Sequence, residues 1–413
     1  MLEHFFVVFL FSGVFKDFFL FFYLDTPIDF TLFSAIVAIC FLSYRILITN
    51  KLRINFSVRN KLVLVTFLLF WLWMVISLFY SPSPQYSLKK TFLFSTNFVT
   101  IILVALGSLD VKKVIRYFIF YTYLFSSLYL PVLIGTQMGT LPYSYMRDLS
   151  GLYLTLGLNL GAIVLILKFS HQPVFNTNTD KYLSILTFIL LILIGARGAL
   201  LIAIFAIILY YSANVFRILR KNIRFTRRKL IFSTFTIASL AALIIYFKDI
   251  ISALMDRSLA RLAYIISSDK GSSINARIEH MDKSFQLLKD PLIFIKGIGI
   301  GSYMYVTQHQ DIRGYPHNII LEVWVELGII GVIFFLMNMF SYLSCGRKSE
   351  YISKLLLLYL FLNLLKSSSL VDMRLVIGFF MLYIDGNKNF DRIVYENSVH
   401  TEYKTDKNQN RVY

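Results

Sequence analysis

Three positions in this chain combine a chemically able residue with a suggestive setting. His317 stands at the mouth of the apolar run "YPHNIILEVWVELGIIGVIFF" (315–335), behind Pro316 and before Asn318. An imidazole with an ordinary pKa near ~6.5 takes or gives a proton around neutral pH. Arg197 interrupts a long apolar stretch, "YLSILTFILLILIGARGALLIAIFAIILYY", between Gly195-Ala196 and Gly198. Small neighbours allow close backbone approach, and an isolated guanidinium there suits an anion. Arg277 opens an amphipathic stretch over 276–289, where a helix N-terminus and a guanidinium together suit a phosphate. Each residue also has a plainer reading: a capping histidine, a snorkelling arginine, a charged rim residue.

The polar residues around His317 sharpen the question. Asn318, Glu322 and Glu326 recur every four residues, so they form one stripe down a helix. Ionisable groups inside a membrane span are costly and must face protein or a water-filled cavity. The expectation is a polar pocket open to the outside, with Asn318 and Glu322 contacting substrate. Lys89, Lys90 and Arg147 are further outward cations, and together they ask for an anionic partner such as a lipid-linked phosphate. The chain has no HExxH, cysteine ligand set, Walker loop or Ser nucleophile elbow, and neither a metal nor another cofactor is expected.

These residues must be carried by membrane helices. The chain of 413 residues is 57% hydrophobic and 15% charged, with a mean hydropathy of +0.67. Soluble proteins carry about a quarter charged residues. The apolar residues come in runs long enough to cross ~30 Å of hydrocarbon. The net charge of +18 is better read as topology-setting loops than as a nucleic-acid surface, because basic residues gather in cytoplasmic loops. The reading is an all-α polytopic membrane protein of about twelve spans, near 5–24, 28–48, 61–80, 91–109, 114–134, 151–168, 182–196, 198–216, 230–247, 317–343, 354–370 and 372–386. Lys16-Asp17 sits in the middle of the first, which either neutralises the pair internally or is broken or shallow.

The basic segment "RILRKNIRFTRRK" (217–229) and the loop 345–354 are assigned to the cytoplasm. Alternation then sends 81–90, 135–150, the link at 195–198 and the long segment 248–316 outward. The organisation expected is an N-terminal bundle (1–247), one large extracytoplasmic loop with amphipathic helices (248–316), C-terminal spans (317–386) and a polar cytoplasmic tail (387–413). Within the loop, residues 250–266 and 276–289 have helical apolar spacing, suited to lying on a membrane surface. "KGIGIGS" (296–302) is a glycine turn without the strand and helix of a nucleotide-binding loop.

His317-Asn318, nine residues, Gly328, two residues and Gly331 resemble the signature of the O-antigen ligase and polymerase superfamily. The upstream "NARIEHMDKSFQLLKDPLIFIKGIGIGSY" (275–303) is similar to the same family's arginine, amphipathic helix and Gly-x-Gly turn, although the usual tryptophan is replaced around His280-Met281. "SPSPQYSLKK" (81–90) resembles its first outer loop, and Arg197 falls where a family arginine is expected. The resemblance covers most of 60–340. It implies an enzyme of the bacterial inner membrane, with its site facing the periplasm or exterior, that transfers a glycan from undecaprenyl diphosphate to an acceptor hydroxyl without nucleotide or metal. His317 is then the general base, and Arg197 and Arg277 stabilise charge on the leaving diphosphate.

The reading preferred is a polymerase of lipid-linked repeat units into O-antigen, capsule or exopolysaccharide. The alternatives are a ligase acting on lipid A-core, and a flippase or transporter of lipid-linked oligosaccharide. The last fits less well, because no internal repeat is visible and the charges collect at outer span ends. Expected partners are the lipid-linked donor, an acceptor glycan, membrane lipids and a chain-length regulator, with no nucleic acid.

Overall fold

The computed structural model describes residues 1–21, 29–49, 58–137, 151–220, 272–345 and 352–385. Among them there are helices and no strand. In chain order these are α1 (Leu2–Leu10), α2 (Ser12–Phe21), α3 (Phe30–Thr49), α4 (Val58–Ser77), α5 (Tyr86–Gly107), α6 (Val111–Gln137), α7 (Leu152–Phe169), α8 (Thr177–Ile194) and α9 (Arg197–Arg220). Then come α10 (Ser272–Leu287), α11 (Pro291–Lys296), α12 (Tyr303–Gln308), α13 (Ile319–Cys345), α14 (Lys354–Ser367) and α15 (Arg374–Asp385). Seven are long and apolar enough to cross a membrane: α3, α4, α5, α6, α7, α8 and α13. The chain is an all-α membrane protein, and the expected count of twelve is not reached among the described residues. The expected span at 230–247 and the amphipathic stretch at 250–266 lie outside them, as do Arg147 and the polar tail.

The N-terminal span departs from expectation in an instructive way. It is two short helices joined at Phe11. Lys16 is not neutralised by Asp17 beside it; its Nζ lies 3.5 Å from an Asp29 carboxylate oxygen. The joint is held by Arg374 of α15, which donates to the Phe9 carbonyl at 3.2 Å and to the Ser12 hydroxyl. Burial of Phe6, Phe9 and Phe11 anchors the pair to the bundle.

The helix that follows His317 is also broken, and its glycines explain why. Gly328 has φ 68 and ψ −175 inside α13, a conformation that favours glycine. A break there removes the helical donors that the carbonyls of 325–327 would otherwise receive. They are taken from elsewhere: Ile298 N–H donates to Val325 O at 2.9 Å, Gly299 N–H to Glu326 O at 2.9 Å, and the Trp73 indole N–H to Leu327 O at 2.8 Å. The glycine turn of 297–301 is thus stitched onto the broken helix. Gly297, Gly299 and Gly301 all have positive φ, and a Cβ on Gly297 would fall 2.3 Å from the Glu326 backbone.

Gly328→Ala is expected to destabilise the fold by about 2–4 kcal/mol, from left-handed strain and forced backbone displacement. The added Cβ would lie 2.1 Å from the Ile295 carbonyl oxygen. Thermal unfolding in detergent checks this, and an unchanged midpoint would show that the break is dispensable.

Candidate active site

The loop "SPSPQYS" forms a platform under the glycine turn. The Ser81 hydroxyl donates to the Ile300 carbonyl at 3.0 Å, the Tyr80 hydroxyl to the Lys296 carbonyl at 2.6 Å, and the Ile300 N–H to the Ser77 hydroxyl at 3.2 Å. Asp311 closes the platform by accepting from the Ser83 hydroxyl and from the N–H groups of Gln85 at 2.9 Å and Tyr86 at 3.1 Å. It satisfies the orphan amides at the start of α5. The Ser83 hydroxyl, with those amides, holds the Asp311 carboxyl below its usual range.

The turn delivers Tyr303, fully buried, against α10. Its hydroxyl donates to the His280 carbonyl at 2.9 Å and lies 3.0 Å from His280 Nδ1. Ser284 donates to the same carbonyl at 2.7 Å. Arg277, His280 and Ser284 are spaced at i, i+3 and i+7, so one helix face is fixed toward the site. The adjoining face leaves Ile278, Met281 and Phe285 exposed, the surface an interfacial helix offers to lipid. Because α10 begins at Ser272, Arg277 is more than a turn inside the helix. The expected phosphate site at a helix N-terminus is therefore replaced by a guanidinium acting from the side of the helix.

His317 sits just before α13 with φ 59, strained for a residue with a Cβ. Asn318 supports that turn by accepting from the Leu321 N–H at 3.1 Å, as an N-cap does. The imidazole ring lies 4.7 Å from the Tyr315 ring and 5.9 Å from that of His280, centroid to centroid. Burial, then the Arg277 charge, then His280, push the His317 imidazole down to about 4. Sequence alone places it near ~6.5. The displacement keeps His317 neutral at pH 7, the form that accepts a proton.

A pH profile follows from that shift. The acid limb of kcat/KM is expected near pH 4–5, not within a unit of 6.5, because activity is lost as pH falls through the folded-state value. A bound anion that offsets Arg277 stabilises the protonated form, so the acid limb of kcat should lie at higher pH than that of kcat/KM. Coincident limbs near 6.5 would show that neither burial nor Arg277 acts on the base.

Arg197 begins α9 directly after a tight reversal. Gly195 has φ 75 and caps α8 through its N–H to Ile192 O at 3.1 Å. Gly157 of α7 packs so closely on the link that a Cβ there would lie 2.0 Å from the Ala196 Cβ. The small residues beside Arg197 are thus set by close packing.

The polar stripe has a different answer from the one expected. Lys90 of α5 is fully buried, with Nζ 2.6 Å from Glu322 Oε1 and 2.6 Å from Glu326 Oε2. Glu322 also accepts from the Ser369 hydroxyl at 2.8 Å and the Leu370 N–H at 3.2 Å, and Glu326 from the Gly301 N–H at 2.9 Å. Glu322 and Glu326 therefore face protein, not an open sugar-binding wall, and Lys90 is an internal strut rather than a substrate cation. Two carboxylates one turn apart drew a cation from 232 or more positions away in sequence, a pairing that helical spacing cannot show. Lys89, its neighbour, is exposed. Sequence reasoning also passed over Lys366, Tyr315 and His280 as neighbours of the site; Tyr315-Pro316-His317 adjacency was the available signal for one of them.

Arg197, Arg277 and His317 arrive from three separate elements, and Arg277 acts electrostatically on His317. No curated protein matches the chain. A family model described as O-Antigen ligase matches residues 182–336, a region holding all three residues together with the glycine turn and the helix break. That match supports the resemblance of this region to the O-antigen ligase and polymerase superfamily.

Proposed function

We propose that this protein is a membrane-embedded glycosyltransferase that polymerises lipid-linked repeat units, moving a glycan from undecaprenyl diphosphate to a sugar hydroxyl at the outer face of the inner membrane. The observation that carries the reading is Arg277 beside a neutral His317, a cation next to a proton acceptor on independent elements. The acceptor hydroxyl attacks the anomeric carbon, and the new C–O bond forms as the bond to the diphosphate breaks. The electron pair leaves on the diphosphate, where Arg277 and Arg197 stabilise it. The hydroxyl proton passes to an imidazole nitrogen of His317. Asn318 holds the turn that aims the ring. Neither nucleotide nor metal takes part, since the diphosphate already activates the donor.

A ligase would use the same donor chemistry with a different acceptor. Deletion of the gene followed by gel separation of surface glycan distinguishes them. A polymerase leaves single-repeat chains on the surface, whereas a ligase leaves long chains unattached.

The reading also requires α10 to face outward. A Ser273→Cys variant is expected to react with an impermeant thiol reagent in intact cells. Labelling only after the membrane is broken would place the site on the wrong side. Arg197→Ala and Arg277→Ala should each reduce transfer severely at normal protein levels, with only partial rescue by Lys, which lacks the bidentate fork. Full activity in both alanine variants would remove the diphosphate clamp.

A further inference from the structure

We propose that Lys366, on α14 and outside the matched region 182–336, is a donor-binding residue: a third cation of the diphosphate site, carried there across Gly198. The proposal rests on the reading above and deepens it by adding a contact from a helix the family model does not reach.

The first observation is the path of the side chain. A Cβ built on Gly198 would fall 1.6 Å from Lys366 Nζ, 1.9 Å from Cε and 2.4 Å from Cδ. The outer half of the lysine therefore lies flat on the Gly198 backbone, and any side chain there would displace it. Gly198 directly follows Arg197, so the ammonium rests beside the backbone that carries the arginine. The glycine expected to allow a tight link and close backbone approach also makes room for a second cation.

The second observation is electrostatic. Arg277 repels the Lys366 ammonium as well as the His317 imidazolium, so a single guanidinium bears on both. Like charges brought together without a counter-ion are unfavourable. Elsewhere Lys90 is answered by Glu322 and Glu326 and Arg313 by Asp372 at 2.8 Å, while Arg374, which has no carboxylate partner among the described residues, donates to the Phe9 carbonyl and to the Ser12 and Thr96 hydroxyls. Among the described residues neither Arg277 nor Lys366 makes an ion pair with a carboxylate. Glu322 and Asp372 are already committed to Lys90 and Arg313. A ligand with more than one negative charge completes this arrangement, and a diphosphate has two anionic centres for cations that approach from different helices.

Lysine is a point charge that does not demand one fork geometry. Its contact with the diphosphate is present in the bound donor as well as in the transition state. Loss of such a contact raises KM without lowering kcat. Charge-assisted hydrogen bonds have the strength for an effect of about 10- to 100-fold.

The test uses purified full-length protein with a lipid-linked donor and with inorganic pyrophosphate as a competing probe. Lys366→Met is expected to raise the donor KM and the pyrophosphate inhibition constant together by about 10-fold or more, with kcat within about threefold. Lys366→Arg, which keeps the charge, should recover most of both. Gly198→Ala should reproduce the Lys366→Met defect, and the double variant should be no worse than either single one, because both remove the same contact. Should Lys366→Met not fold, Lys366→Gln carries the same comparison. An active wild type whose KM and pyrophosphate inhibition are unchanged by loss of Lys366 overturns the proposal and leaves the transferase reading intact. A wild type that neither transfers glycan nor binds pyrophosphate overturns both.

Discussion

His317→Gln is expected to lower glycan transfer about 10²–10⁴-fold, a barrier increase of roughly 3–5 kcal/mol. Gln keeps the approximate size and a hydrogen-bonding edge but cannot take the proton of the acceptor hydroxyl. Donor KM should change little, because Arg197 and Arg277 remain. The positive φ of His317 is retained in the variant at a cost of about 1–2 kcal/mol common to both residues, so stability should be nearly unaltered. Near-wild-type turnover would show that His317 only positions the acceptor or shapes the turn.

Lys90→Met should be the most damaging single change to the fold itself. It leaves Glu322 and Glu326, both fully buried, without their shared cation. Breaking a buried ion pair by removing one partner costs about 3–5 kcal/mol. The consequence extends beyond the pair, because the two carboxylates also hold the Gly301 turn and the Ser369-Leu370 link. Glu326 Oε1 has no hydrogen-bond partner among the described residues, so the cluster has little reserve. The triple variant Lys90→Met/Glu322→Gln/Glu326→Gln should recover a substantial part of the loss, since neutral groups are less costly to bury. Thermal unfolding of the three proteins, followed by size-exclusion chromatography, reads the effect. A Lys90→Met protein as stable as wild type would mean that the carboxylates are not held as a charged cluster.

These two cases show what sequence carries. The His317-Asn318 pair and the spacing to Gly328 and Gly331 were visible as a pattern, and so was the polar stripe of Glu322 and Glu326. The reason for Gly328 was not visible, because it lies in donors from Ile298, Gly299 and Trp73 that only the folded chain brings near. The stripe was read as facing an open pocket because periodicity identifies a face and not its neighbour. Its neighbour is Lys90, which the sequence presented as one of two adjacent lysines. One of them is exposed and the other fully buried, as successive positions on a helix often are. The Lys16-Asp17 pair misled in the same way: adjacency in sequence did not make an ion pair, and Asp29 took the lysine. The helical membrane architecture was legible because apolar run length alone demands it. The number of spans was less so, since α1, α2, α14 and α15 are apolar but shorter than a membrane crossing requires.

The central claim is that this chain alone transfers glycan from a lipid diphosphate, with His317 as base and Arg197 and Arg277 on the leaving group. The most direct measurement mixes purified wild-type protein with a lipid-linked repeat unit in the presence of EDTA and without nucleotide. Glycan length and released undecaprenyl diphosphate are followed together. The account predicts a ladder of longer glycans with one lipid diphosphate released per bond formed, abolished by Arg277→Ala and nearly abolished by His317→Gln. Protein that binds the lipid-linked donor yet produces neither longer glycan nor free lipid diphosphate would contradict it.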